Sequence, residues 1–171
     1  EVRKRRCEIE KVSNEYRFDK VFNLGLKPAG LGEYPLNFII KKISEIIKEI
    51  KPNTIVLPYQ NDAHSDHKII FEAGYACCKS FRYPSIKKVL MMEVISETDM
   101  AYSSKCFIPN CFVDISGYME KKLKIMKIYK SEIGNFPFPR SEESIKALAM
   151  VRGSQSGRRY AESFMMIKQI L

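Results

Sequence analysis

Both histidines of the chain lie in one short loop. His64 and His67 fall within the stretch "NDAHSDHK" at residues 61–68, with Asp66 between them and Asp62 just ahead. Imidazole is the commonest metal ligand in proteins, and zinc accepts both imidazole and carboxylate. Asp62 and Asp66 are near enough in sequence to orient an imidazole by a hydrogen bond, as groups behind a metal ligand usually do. The spacing therefore predicts a zinc site.

An ordinary polar loop is the alternative interpretation of the same residues. Catalytic zinc generally needs three protein ligands and a water molecule, and one loop does not supply them. The two aspartates can serve only as caps of a turn and a helix, with both histidines solvated. From the residues alone, both interpretations stay open.

The loop lies between a predicted strand and a predicted helix. The apolar run "NTIVLPY" at 53–59 is typical of a strand buried on both faces of a parallel sheet. In such sheets, ligands bind outside the carboxyl ends of the strands. Ser65 is the expected N-cap of the helix, which puts His67 in the first turn, where the helix dipole disfavours a protonated ring. We therefore expect a neutral His67 at the rim of the sheet.

The remaining elements alternate along the chain. Helical periodicity and capping signals predict four more helices, at 3–16, 35–50, about 117–130 and 141–157. Further strands are expected at 19–26, 87–94 and 160–170. This alternation predicts an α/β fold with a largely parallel sheet flanked by helices, in one domain over residues 1–171.

Composition limits the classes of partner and compartment. The net charge is +9, which permits an anionic partner, but the lysines are spread over every segment and the one dense run is "RKRR" at 3–6. A solvated basic surface with no nucleic-acid partner is expected. Five cysteines without framework spacing indicate a reduced cytoplasm. No stretch approaches the roughly 20 apolar residues of a membrane span.

The loop and its surroundings resemble a known family. "PNTIVLPYQNDAHSDHKIIFEAGYAC" is similar to the strand, D-x-H-x-D-H loop and helix of the LmbE/PIG-L family of zinc-dependent N-deacetylases. "RRCEIEK", "VLMMEV", "VDISGYMEKKLKIMKIYKSE" and "RGSQSGRRYAESF" resemble other segments of that family in the same order. The resemblance implies a Rossmann-like fold and removal of an acetyl group from an N-acetylated amino sugar or sugar conjugate.

The resemblance also implies a role for each residue of the loop. His67 matches the histidine that binds Zn²⁺, and His64 matches the one that stabilises the tetrahedral intermediate. Asp66 matches the aspartate that orients His64. In the R-x-x-E motif, Arg5 best matches the arginine near the substrate, with Glu8 as its glutamate, although neighbouring arginines leave that register open.

One family segment is absent from the sequence. A P-H-P-D-D-E loop supplies the family's other zinc ligands and its general base, and no such motif exists here. A smaller departure is Ser131-Glu132 where the family has S-Q. We expect an N-terminal truncation that also removes the first strand, exposes a sheet edge and leaves the fragment inactive.

Two other interpretations of the function are open. A natural short version of the family that lost its catalysis would leave a basic binding module for an anionic glycan, lipid or nucleic acid. A metal-dependent amidase acting on a non-sugar substrate is a further possibility. Oligomeric state and the identity of the acetylated substrate are not readable from the sequence.

Overall fold

The computed structural model describes residues 2–171 as alternating helices and strands. The helices are α1 (Val2–Tyr16), α2 (Leu36–Ile50), α3 (Ser65–Ala76), α4 (Met119–Met126) and α5 (Glu142–Ser156). The strands are β1 (Thr54–Pro58), β2 (Lys88–Met92), β3 (Cys111–Asp114) and β4 (Ala161–Gln169). The predicted α/β class is therefore confirmed. None of the helices in this part of the chain has the length and apolar content needed to cross a membrane.

The strands form one sheet in the order β1-β2-β4-β3. β1 and β2 are parallel, with Pro58 opposite Met92, whereas β2 and β4 are antiparallel, with Lys88 opposite Gln169. The sheet is therefore mixed, and the prediction of a largely parallel sheet is wrong. An apolar run in the sequence signals burial, but it carries no information on the direction of the neighbouring strand.

The chain divides into two compact units. The first unit comprises the residues up to Asn23 together with Phe112–Glu162, and the second comprises Leu24–Cys111 together with Ser163–Leu171. Each unit buries its own apolar side chains. In the first these include Met119, Leu123, Ile125, Ile145 and Ala149, and in the second Ile39, Leu57, Ala73, Cys77, Ile86 and Val89. The single domain expected over residues 1–171 stays a prediction.

The second unit is built around α2, α3 and the β1–β2 pair. Apolar residues of α2 recur with the helical period, and Ile39 and Ile47 are buried. The helix begins after Pro35 and ends at Lys51 in the left-handed conformation, so the predicted helix at 35–50 is confirmed. Cys77 and Cys78, which follow α3, are buried, and this burial raises the pKa of the Cys78 thiol to about 11.

Two local predictions are wrong. Residues 19–26 contain no strand. β1 is not buried on both faces, because it lies at one end of the strand order and Val56 is 44% exposed. Apolar composition identified β1 as a strand, but exposure depends on which neighbours the rest of the chain provides.

α5 in the first unit follows its sequence signals closely. The Ser141 hydroxyl accepts a hydrogen bond from Ser144 N at 3.1 Å, and Gly157 ends the helix with φ +67°. Gly153 permits close packing, since a Cβ atom there would lie 2.6 Å from the backbone oxygen of Arg158 and 2.8 Å from that of Arg159. Gly153 therefore permits a close approach of the backbone, and Gly157 ends the helix.

Gly153→Ala should destabilise the first unit. The added methyl group meets backbone atoms that cannot rotate away, and overpacking of this kind typically costs about 1–3 kcal/mol. Urea unfolding followed by circular dichroism would measure the loss. Met150→Ala, on an exposed position of the same helix, is the control and should change stability by less than about 0.5 kcal/mol. Equal stability of the two variants would contradict the packing argument.

Candidate active site

The loop after β1 and the turn after β2 meet at one edge of the sheet. Because β1 and β2 are parallel neighbours, their carboxyl ends lie side by side. Two hydrogen bonds join the segments that follow: Ala63 N donates to Glu97 O at 3.0 Å, and the Thr98 hydroxyl donates to Asp62 Oδ1 at 2.6 Å. The loop with both histidines therefore lies where the sequence places it.

The central contact of this site joins His67 to Asp62. His67 Nδ1 lies 2.7 Å from Asp62 Oδ2, and the Asp62 side chain is completely buried. A buried carboxylate is tolerated only when it is hydrogen-bonded, and both oxygens of Asp62 have a partner, His67 and Thr98. With Nδ1 used in this way, Nε2 is the ring nitrogen of His67 available to a ligand.

The same contact sets the charge preference of His67. The hydrogen bond to Asp62 raises the pKa of His67 above its usual value, and partial desolvation of the ring opposes this. The hydrogen bond to Asp62, at 2.7 Å, thus acts against the helix dipole, and the neutral ring expected for His67 stays a prediction. A metal ion at Nε2 would have to displace a proton held with increased affinity.

His64, not Ser65, is the N-cap of α3. Its Nδ1 accepts a hydrogen bond from Asp66 N at 3.1 Å, so the helix begins one residue after the cap, at Ser65. Sequence rules favour serine at this position and missed that an imidazole nitrogen can accept the same bond. Because Nδ1 is an acceptor, the neutral ring carries its proton on Nε2.

The two rings are stacked, and their Nε2 atoms differ in hydrogen-bonding role. Their centroids lie 5.0 Å apart and their planes differ by 21°. When both rings are neutral, the hydrogen-bond partners assign His64 an Nε2–H donor and His67 an Nε2 lone pair. The pair can therefore give a hydrogen bond and hold a cation at neighbouring positions.

Asp66 contributes to the site mainly through its backbone. Its N–H donates a hydrogen bond to Nδ1 of the capping His64, whereas its carboxylate Oδ1 accepts a hydrogen bond from Leu31 N at 3.1 Å. Among the residues of the second unit, the carboxylate that orients a histidine ring is that of Asp62. The catalytic role that the resemblance assigns to Asp66 stays a prediction.

Arg5 belongs to the first unit, where several groups hold it. Its guanidinium bonds to Glu132 and to the Ser131 hydroxyl, lies 3.4 Å from Glu8 and packs over the ring of Tyr129. Glu132, where the family has glutamine, thus serves as an ion-pair partner of Arg5. Glu8 is buried, and its Oε1 has no hydrogen-bond partner in the part of the chain that the structure describes. The role of Arg5 near a substrate stays a prediction.

The donor set for a metal is incomplete. Within residues 2–171, no three His, Cys, Asp or Glu side chains gather so that they could hold a metal ion. His67 fits as one oriented ligand, with its Nδ1 anchored as metal-binding histidines usually are. The sequence missed Thr98, which is separated from Asp62 by 36 positions and carries no local signal of its role.

The first unit contains a basic groove of about 580 Å³. It lies along α1 and α4, and its cations are Lys11, Arg17, Lys121 and Lys124, with Asn14, Glu15 and Ile128 completing the lining. Glu15 is 3.5 Å from Lys124 and offsets part of that charge. Four cations and one carboxylate therefore line this groove.

Comparison with known protein sequences gives a family profile and a relative that are both described as deacetylases. The sequence profile of the PIG-L family, described as GlcNAc-PI de-N-acetylase, matches residues 1–78. A diacetylchitobiose deacetylase of Thermococcus kodakarensis is 26% identical over 187 residues, which cover 99% of this chain and 65% of the relative. The chain thus spans less than two thirds of the length of this relative. The resemblance to the LmbE/PIG-L family is confirmed.

Solved structures share the fold. N,N'-diacetylchitobiose deacetylase from Pyrococcus horikoshii, solved with an inhibitor, superposes with a TM-score of 0.76 at 21% identity over 96% of this chain and 63% of its own. GalB, the 4-carboxy-2-hydroxymuconate hydratase from Pseudomonas putida, gives 0.71 at 15% identity over 98% of this chain and 72% of its own. The Rossmann-like architecture is therefore supported by solved structures whose names describe different reactions.

Asp66→Ala should loosen the contact between α3 and the Leu31 turn. The change leaves the buried Leu31 N–H without its acceptor, which typically costs about 1–3 kcal/mol. Hydrogen exchange of the Leu31 amide, measured by NMR, should accelerate. Asp66→Asn keeps an oxygen acceptor and serves as the control, with exchange close to that of the unaltered protein. Unchanged exchange in Asp66→Ala would show that the carboxylate does not hold this turn.

Proposed function

We propose that this relative of the PIG-L de-N-acetylases forms most of a metal-dependent hydrolase that removes an acetyl group from an N-acetylated amino sugar or sugar conjugate. Water and the amide would give acetate and a free amine. The observation that carries the proposal is the stacked pair His64 and His67, in which one ring offers Nε2–H and the other an Nε2 lone pair. Metal-assisted amide hydrolysis can use both functions, a metal ligand and a hydrogen-bond donor to the developing oxyanion.

His67 is the proposed metal ligand. Its Nδ1 bond to buried Asp62 holds the ring in one tautomer and orientation, which is the usual arrangement behind a zinc-bound imidazole. When bound in such a site, zinc lowers the pKa of a coordinated water molecule to about 7 and polarises the carbonyl of the substrate. We propose Zn²⁺ on the strength of the imidazole ligand and the family.

His64 is the proposed hydrogen-bond donor to the developing oxyanion. Its Nδ1 is occupied by Asp66 N, so a neutral ring presents Nε2–H and does not need to change its protonation state to donate. A donor fixed in this way stabilises negative charge without reorganising during the reaction. The cap of α3 thus prepares His64 for this role.

The remaining ligands and the proton acceptor would come from a part of the protein beyond these residues. Two facts support this: no three potential ligands converge within residues 2–171, and the curated relative is longer than this chain. In the complete protein, Arg5 would contact the sugar, as the family resemblance implies. We propose a cytoplasmic enzyme with a small N-acetylated sugar as substrate and no nucleic-acid partner.

Two asparagine substitutions test these assignments in the protein expressed from its complete gene. In His67→Asn, the amide can still donate to Asp62 but Nε2 is lost, so Zn²⁺ affinity should fall by more than about 100-fold. In His64→Asn, the side-chain oxygen can still cap α3 but the Nε2–H donor is lost. We expect this variant to retain zinc while kcat on N,N'-diacetylchitobiose falls about 100- to 1,000-fold.

Calorimetric zinc titration and release of acetate would measure the two effects. Lys41→Ala, at an exposed position of α2, is the control and should match the unaltered protein in both assays. Wild-type zinc affinity in His67→Asn would remove the metal assignment. A zinc-loaded complete protein that releases no acetate from N-acetylated sugars would contradict the proposed function as a whole.

The basic groove favours a second candidate, a non-catalytic module that binds an anionic ligand. Its lining combines four cations with one carboxylate around a cavity large enough for a phosphorylated sugar. The cations of the groove attract an anionic ligand, and dissolved salt weakens this attraction. This function would not require His67.

Lys121→Glu tests this candidate. It reverses one charge in the groove and should weaken binding of inorganic pyrophosphate about tenfold or more in low salt, measured by calorimetry. Lys41→Glu makes the same change of net charge outside the groove lining and is the matched control. Equal weakening in both variants would attribute binding to net charge alone and exclude the groove as a site.

A further inference from the structure

Thr98 lies at the start of a hydrogen-bond chain that ends on His67. Its hydroxyl donates to Asp62 Oδ1 at 2.6 Å, and Asp62 Oδ2 lies 2.7 Å from His67 Nδ1. Thr98 is 4% exposed and Asp62 0%, so water does not compete for these bonds. The chain connects the turn after β2 to the ring proposed to bind a metal.

The direction of the Thr98 hydroxyl is fixed by the backbone. Val94 N donates to Thr98 Oγ1 at 2.8 Å, while Thr98 N donates to Val94 O at the same distance. Because Oγ1 accepts from Val94, its single proton is directed to Asp62. Thr98 is therefore a rigid donor, held by a turn whose backbone also bonds to Ala63 through Glu97 O.

The carboxylate of Asp62 needs this donor to keep one orientation. A carboxylate bonded at one oxygen can rotate about its side-chain torsions, and either oxygen can then meet the imidazole. With Oδ1 held by Thr98, Oδ2 alone faces His67 Nδ1. Small displacements matter, because a metal ligand must be placed within about 0.5 Å and 10–20° of its productive geometry.

We propose that Thr98 is a positioning residue, which sets the ring orientation of His67 through Asp62 and thereby couples the turn after β2 to metal binding. The part that concerns the metal rests on the proposed function. The part that concerns the ring does not, because the ring orientation exists in the metal-free chain. Partners behind a metal ligand commonly change metal affinity 10- to 100-fold when they are removed.

Thr98→Val is the central variant, because it keeps the shape of threonine and removes the hydroxyl. In the metal-free protein, the Nδ1–H tautomer should be kept, since either oxygen of Asp62 can accept from it, but nuclear Overhauser contacts of the His67 ring should change from those of one ring orientation to those of several. In the complete protein, Zn²⁺ affinity should fall about tenfold or more. Thr98→Ser restores the hydroxyl and should restore both the single ring orientation and the affinity.

Ser141→Ala is the matched control. It also removes a buried hydroxyl, the N-cap of α5 in the first unit, at a stability cost of about 1 kcal/mol. It should leave the His67 spectrum and Zn²⁺ affinity unchanged. If Thr98→Val does not fold, Thr98→Cys supplies a weaker donor of similar size and should give ring contacts intermediate between those of Thr98→Val and the unaltered protein.

Two results would overturn the proposal: a single wild-type ring orientation of His67 in Thr98→Val, or several orientations that persist in Thr98→Ser. Failure of the proposed function is distinguishable, since it would show as wild-type zinc affinity in His67→Asn. In that case the ring spectra of the metal-free variants would still decide whether Thr98 positions His67.

Discussion

The site depends on one buried ionic hydrogen bond, between Asp62 and His67. A carboxylate with no exposed surface is stable only while both oxygens are bonded, and leaving a buried polar group without its partner typically costs about 1–3 kcal/mol. The loop after β1 therefore cannot relax without losing that free energy. The same bond fixes the tautomer of His67 and raises its pKa, so one interaction determines the ring's geometry and its affinity for protons.

The fold brings these groups together but does not determine their chemistry. Parallel pairing of β1 and β2 puts the segments after Pro58 and Met92 side by side, which lets a threonine and an aspartate 36 positions apart form a bond. GalB shares the architecture at 15% identity, and its name describes a hydratase. A Rossmann-like frame serves many reactions, and the case for hydrolysis here rests on the opposite ring atoms of His64 and His67.

Local signals in the sequence predicted the helices well and the contacts of the site only in part. α2 and α5 were predictable because periodicity, the Ser141 cap and the glycine stop all act within a few residues. The direction of β4 and the exposure of β1 depend on neighbouring strands that are distant in sequence. A local sequence pattern therefore predicts neither property. The sequence identified both histidines but could not tell Asp62 from Asp66 as the partner of the ring. The structure distinguishes them, because the Asp66 carboxylate accepts a hydrogen bond from the N–H of Leu31, which lies 35 positions earlier in the chain.

The spacing of the two histidines has a physical reason of its own. The first N–H groups of a helix lack intrahelical acceptors, and His64 as N-cap accepts one of them through Nδ1. His67 occupies the third position after the cap, which lies on the same side of the helix, so the rings can stack. One ring is then fixed by the helix backbone and the other by Asp62, and their free nitrogens differ in hydrogen content. Insertion of a single residue would rotate the second ring by about 100° around the helix and separate the donor from the proposed ligand.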